Sequence, residues 1–125
     1  MELNQLRFAK THEWIASDGK VGISEHAQKE VTDVVFVELP VIGKNLSQTT
    51  EAGTIESVKA AFPIYAPVSG KVKAVNEGLS NDPALINQSP YEKGWIFQLE
   101  ISNAADLNSL MTHAQYQEFL KSEHP

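Results

Sequence analysis

Gly53-Thr-Ile-Glu-Ser-Val-Lys59-Ala-Ala-Phe-Pro-Ile-Tyr-Ala-Pro-Val-Ser-Gly70 is the stretch from which the rest of the chain is most easily read. Gly53 to Val58 reads as one strand leading to Lys59, and Phe62 to Ala66 as a second leading away. Pro67-Val-Ser-Gly70 then makes a turn. Lys59 is therefore expected at the tip of a hairpin. A lysine destined for amide modification must stand clear of the fold, have small neighbours, and be presented rigidly while its four-carbon stem stays mobile. A hairpin tip flanked by Ser57, Ala60 and Ala61 meets all three demands. Modification would exchange an ammonium for a neutral amide. A lysine at a turn is more often an ordinary solvated residue, and this chain has nine lysines. The residues around Lys59 do not decide the matter by themselves.

Working outward, Val34-Val-Phe-Val37 is an unbroken β-branched and aromatic run, read as a strand buried on both faces and ended by Pro40. Ser24 is placed to cap a short helix over residues 25–30, with Glu25 at the positive end of its dipole. Leu6 to Phe8 and Glu13 to Ala16 are short strand candidates. The second turns through Ser17-Asp18-Gly19-Lys20 into Val21-Gly22-Ile23, since Gly19 can take positive φ without steric cost. On the C-terminal side, Lys71-Val-Lys-Ala-Val75 alternates like a half-exposed strand. Residues 76–92 read as a long loop, or a loop with one helical turn, and Trp95 to Ile101 alternates again. Only the tail, about residues 103–123, is convincingly helical. Asn103 can cap a first segment bearing Leu107, Leu110 and Met111, and Thr112 with Gln115 has capping-box spacing before Tyr116, Phe119 and Leu120. Many short strands followed by one helical segment predict a mainly β fold, a small barrel or sandwich closed by a helix, as a single domain over residues 1–125.

At 125 residues and 42% hydrophobic content, the chain can build one modest core. Its 16 acidic residues against 10 Lys and Arg give a formal net charge of −6. That balance argues against nucleic acid, whose phosphates require clustered positive charge, and against an anionic membrane surface. There is no cysteine, so disulfides, thiolate metal ligation and cysteine nucleophiles are excluded, while dithiol chemistry on an attached cofactor is not. No basic start with an apolar run opens the sequence, and no stretch is long enough for a membrane span. A cytoplasmic protein is expected, or a mitochondrial matrix protein if a targeting segment has been removed.

Several blocks, in order, resemble the glycine cleavage H proteins. Glu56-Ser-Val-Lys-Ala60 followed by Tyr65-Ala-Pro-Val-Ser-Gly70 is similar to their lipoyl-lysine segment. So are Thr11-His-Glu-Trp14, Val21-Gly-Ile-Ser-Glu-His-Ala-Gln28 and Asp33-Val-Val-Phe-Val-Glu-Leu-Pro40. Asn76-Glu-Gly-Leu79, Leu85-Ile-Asn87, Ser89-Pro-Tyr91 and Gly94-Trp95 follow. The resemblance implies a flattened barrel or sandwich hybrid of two small antiparallel sheets, with lipoate attached covalently to Lys59. It implies a non-catalytic monomeric carrier, modified by a lipoate-attaching enzyme. Such a carrier shuttles the aminomethyl group of glycine between a glycine decarboxylase, an aminomethyltransferase and a dihydrolipoamide dehydrogenase. Tethering gives the arm a high effective concentration at each docked enzyme. It further implies that the loaded arm shelters in a cleft containing Glu13, which can pair with the cationic amine; otherwise Glu13 is a solvated strand residue.

Two departures from the family pattern stand out. The acidic residue expected four positions after the modified lysine is Pro63, preceded by Phe62, so a charge and a backbone donor are both missing. The connection from Trp14 to Val21 is short for the family. These features leave open an H-like paralogue that holds or relays lipoate without serving glycine cleavage, and an unmodified interaction module. A biotin carrier also displays a lysine on a hairpin, but usually between methionines, where this chain has Val58 and Ala60. His12, His26, His113 and His124 show no metal-ligand spacing, and His12 and His26 read as structural or hydrogen-bonding residues. Trp14 and Trp95 read as core aromatics. No catalytic triad, phosphate loop or dinucleotide fingerprint is present.

Overall fold

A computed structural model describes residues 2–123. After a single 3-10 turn, Leu3–Gln5, come strands β1 (Arg7–Phe8), β2 (Glu13–Ile15) and β3 (Lys20–Ile23), then helix α1 (Glu25–Val31) and strand β4 (Val34–Glu38). Strands β5 (Asn45–Leu46), β6 (Glu51–Ser57), β7 (Ala61–Tyr65) and β8 (Gly70–Val75) follow. Two helical turns, α2 (Gly78–Asn81) and α3 (Leu85–Gln88), precede strand β9 (Phe97–Ile101), a 3-10 segment at Ala104–Ser109 and the terminal helix α4 (His113–Glu123).

The strands form two antiparallel sheets that do not close into a barrel: six strands in the order β1-β2-β3-β9-β8-β5, and three in the order β4-β6-β7. The main cluster of buried apolar side chains draws on both sheets, with Ile15, Val21, Val72 and Leu99 from one and Val37, Ile55 and Ile64 from the other. A second cluster, Leu6, Phe8, Trp14, Ala16 and Tyr116, lies under α4, so the buried side chains form two groups rather than the single core expected. Trp14 is buried there, and its indole N–H donates to the carbonyls of Ile23 and Pro90 at 3.1 and 3.0 Å. Trp95 is only partly buried, with the Lys20 ammonium 5.1 Å from its ring centre. A Cβ at Gly22 would stand 2.7 Å from the Trp14 ring, which explains a glycine in the middle of β3. Gly19, at φ +92, supplies the left-handed turn between β2 and β3.

The helix caps read from the sequence at Ser24 and Thr112 are present. The Ser24 hydroxyl accepts from the Ala27 N–H at 3.1 Å, and Thr112 and Gln115 exchange reciprocal hydrogen bonds of 2.9 and 3.2 Å. Three expectations need correction. The run Val34 to Val37 is not buried on both faces: the register of β4 against β6 shifts between Val34 and Phe36, and Val35 and Phe36 remain 54% and 52% exposed. Residues 76–92 hold two helical turns rather than at most one. The segment after Asn103 is a 3-10 helix, although the Asn103 side chain does cap it by accepting from the Ala105 N–H at 3.2 Å. Among the described residues, no helix is long and apolar enough to cross a membrane.

Candidate functional site

Lys59 occupies the tip between β6 and β7, where Glu56 pairs with Ala61. The Ser57 N–H donates to the Ala60 carbonyl at 2.9 Å. The Ser57 hydroxyl accepts from the backbone N–H groups of Lys59 and Ala60 at 3.1 and 3.2 Å. The Val58 N–H is tied to the Asp33 carbonyl at 3.0 Å. The tip backbone is thus pinned from two sides while the Lys59 side chain remains exposed. Its Nζ reaches across to the Glu30 carbonyl oxygen, 3.3 Å away at the end of α1.

Glu30 also lines a cleft of about 550 Å³. One wall comes from the turn joining β1 to β2 and the first residue of β2, with Lys10, Thr11, His12 and Glu13. The second comes from α1 through His26, Ala27 and Val31, and the third from Ile55, Phe62, Pro63 and Tyr65 of the three-stranded sheet; Glu123 of α4 completes it. The lining is mostly apolar, with carboxylates at a few places. Lys59 therefore stands at the rim of the cleft rather than remote from it.

Glu13 lies on β2 at this cleft and is 1% exposed, so it is not a solvated strand residue. Its carboxyl accepts from the Thr11 hydroxyl and, at 3.0 Å, from the Tyr65 N–H. Burial pushes its pKa up to about 7 from an ordinary 4.5, and the Thr11 and Tyr65 hydrogen bonds only partly oppose that rise. Pro63 belongs to β7, an edge strand, where a missing N–H is tolerated. It lines the cleft on an exposed lip and brings no charge.

The histidines are distributed in a way their spacing did not disclose. His12 and His26 come together, with ring centres 5.1 Å apart, and Glu123 joins them. His12 also shows the hydrogen-bonding role expected of it, its Nδ1 lying 2.7 Å from the Tyr116 hydroxyl. Burial holds its pKa below the ordinary 6.5, against the opposing pull of Glu123. His113 stays apart on α4, 3.1 Å from the Gln117 amide, and His124 lies outside the described residues. Sequence reading missed Glu30 and Tyr65, because both contribute through the backbone, which side-chain chemistry does not announce. Thr11, two residues before Glu13, carried a readable signal as a local hydroxyl donor.

Residues 6–123 match the family model described as the glycine cleavage H-protein. A glycine cleavage system H protein of Legionella pneumophila (strain Corby) is 47% identical over 124 residues, covering 97% of this chain and 99% of the relative. One from Beijerinckia indica is 50% identical over 119 residues, covering 93% and 96%. The crystal structure of a glycine cleavage system H protein from Mycobacterium marinum superposes with a TM-score of 0.84 at 32% identity, covering 92% of this chain and 95% of that one.

Proposed function

The chain belongs to the glycine cleavage H-protein family, and from that premise we propose that it is a lipoyl carrier of glycine cleavage with lipoate in amide linkage to Nζ of Lys59. The observation that carries this reading is the placement of Lys59: exposed on a pinned tip, with Nζ 3.3 Å from the Glu30 carbonyl at the rim of a mostly apolar cleft. The residues present fit the group. Ile23, Val31, Ile55 and Phe62 offer apolar walls for a hydrocarbon arm, and the Thr11 to Glu13 turn gives the cleft a polar end. Bound there, lipoate would supply a disulfide able to accept and release both electrons and a one-carbon amine unit.

The protein's own part is presentation and shelter. Ser57 fixes the backbone of the tip, so an attaching enzyme meets one backbone conformation at Lys59. Acylation removes one positive charge from a chain already at −6. Glu13, held by Thr11 and Tyr65, aims a carboxyl at the cleft that can accept hydrogen bonds from a cationic amine; an opposite charge there would draw its proton off. The apolar walls limit water at that point. The partners that fit this role are a lipoate-attaching enzyme, a glycine decarboxylase, an aminomethyltransferase and a dihydrolipoamide dehydrogenase, none of whose chemistry needs a catalytic group on the carrier. Neither the relay paralogue nor the unmodified module is favoured by relatives matching over nearly the whole chain.

The test is exchange of labelled bicarbonate into glycine by a glycine decarboxylase with the lipoylated chain as acceptor. The wild-type chain should support exchange, and K59R, made in the same lipoylating cells, should not. Exchange sustained by K59R would place the attachment elsewhere.

A further inference from the structure

Three ligand-bearing side chains that take no part in presenting Lys59 meet at one side of the cleft. His12 comes from the turn between β1 and β2, His26 from α1 and Glu123 from the end of α4. Each offers one ligand atom, and these atoms lie within 4.8 Å of one another. His12 Nε2 is 3.5 Å from the Glu123 carboxylate, and His26 Nε2 is 3.7 Å from that of Glu30. Ion pairing explains each of those contacts singly. It does not explain two imidazoles facing each other at 5.1 Å beside a shared carboxylate, because two protonated rings would repel.

A second observation bears on His12. Its Nδ1 is held at 2.7 Å by the Tyr116 hydroxyl, which is itself held at 2.6 Å by the buried Ser24 hydroxyl. A ligating histidine almost always has its other ring nitrogen fixed in this way, which sets the tautomer and the ring direction. Ligation through Nε2, the atom 3.5 Å from Glu123, requires this network to run with Nδ1–H donating to Tyr116. The turn also holds His12 at φ 81, a region L residues rarely adopt, by donation from His12 N–H to the Ala9 carbonyl and from Ser24 N–H to the His12 carbonyl.

We propose that His12, His26 and Glu123 form a binding site for a divalent transition metal of the zinc class. Two imidazole nitrogens and one carboxylate oxygen are the donor set of zinc sites that keep an open position. Calcium and magnesium prefer oxygen cages and are poor matches. Bonds of about 2.0–2.2 Å in a tetrahedral site require ligand atoms about 3.3–3.5 Å apart. The group must therefore contract by roughly 1 Å from its 4.8 Å span. Glu123 can provide that movement, since it ends α4 with a side chain 38% exposed. All three residues line the cleft, so a bound ion would sit at its wall. A bound ion would also fasten the end of α4 to α1 and the β1–β2 turn.

Zinc chloride is titrated calorimetrically into chelator-treated full-length chain carrying an unmodified Lys59, so that no dithiol competes. One equivalent should bind and the melting temperature should rise, because the ion binds only the folded chain. H26Q and E123A should each weaken binding at least about tenfold, as should Y116F, which removes no ligand but frees the His12 ring. Circular dichroism checks that the variants stay folded, and nitrogen NMR should show Nε2 of His12 and a ring nitrogen of His26 shifting on saturation. The proposal is overturned if no saturable binding occurs. It is equally overturned if affinity survives H26Q and E123A together, or is lost instead on substituting His113.

Discussion

Glu13 is the residue whose environment departs furthest from its sequence appearance. In the sequence it is one polar residue of a short strand candidate, and only the resemblance singled it out; the fold then buries it at 1% exposure and raises its pKa to about 7. The folded chain therefore binds a proton that the unfolded chain has already released between about pH 4.5 and 7. The stability held by protonated Glu13 is complete below the unfolded value and is lost as pH rises through 7, on the order of 3 kcal/mol. Urea unfolding at pH 5 and pH 8, with a chelator present, should show that loss in the wild type and not in E13Q. Equal pH slopes would contradict the burial argument. Pro63 gives a second prediction. An aspartate there would sit on the exposed lip of a cleft that already holds Glu13, Glu30 and Glu123. Screening by water and salt leaves such a charge little influence. P63D should thus change the rate of loading by glycine decarboxylase less than about threefold; a larger gain would show that the missing carboxylate limits this chain.

Elements were legible where their signals are local. Ser24 and the Thr112–Gln115 pair could be read because a cap is a side chain answering backbone groups two or three residues away. The Asp18-Gly19 turn was legible because Gly19 takes positive φ without steric cost, and Asp18 adds a hydrogen bond from the Lys20 N–H at 3.0 Å. The bulge in β4 was not, because Val34 to Val37 has the composition of a doubly buried strand and only the pairing with β6 turns Val35 and Phe36 outward. Ser24 also does something the cap motif does not predict: its hydroxyl meets Tyr116, 92 positions along the chain, at 2.6 Å. S24A would remove the cap of α1 and leave a buried tyrosine hydroxyl with only His12. It should cost about 2–3 kcal/mol, more than the ~1 kcal/mol of an ordinary cap, as read from chemical denaturation. A loss under 1 kcal/mol would mean that Tyr116 does not depend on Ser24.

At the scale of the molecule, the mainly β class and the two-sheet architecture were anticipated, but not the sheet order. β3 lies beside β9, and β8 beside both β9 and β5, so pairings span much of the chain and depend on contacts no local pattern encodes. The cleft has the same character. Its walls come from a turn, a helix, a hairpin and the terminal helix, and only their assembly brings Lys59 Nζ near Glu30 and places Glu13 in the cleft beyond. The place of Lys59 on an exposed hairpin tip was readable because the strand and turn signals around it are local, whereas His12, His26 and Glu123 are brought together only by the complete fold. The central claim, that this assembly exists to present and shelter one modified lysine, is tested most directly by mass spectrometry. The chain is isolated from lipoate-replete cells with working lipoylation enzymes, its intact mass is determined and any adduct is mapped by peptide sequencing. The account predicts one lipoyl group per chain, on Lys59; a chain that stays unmodified there, or carries the group on another lysine, would contradict it.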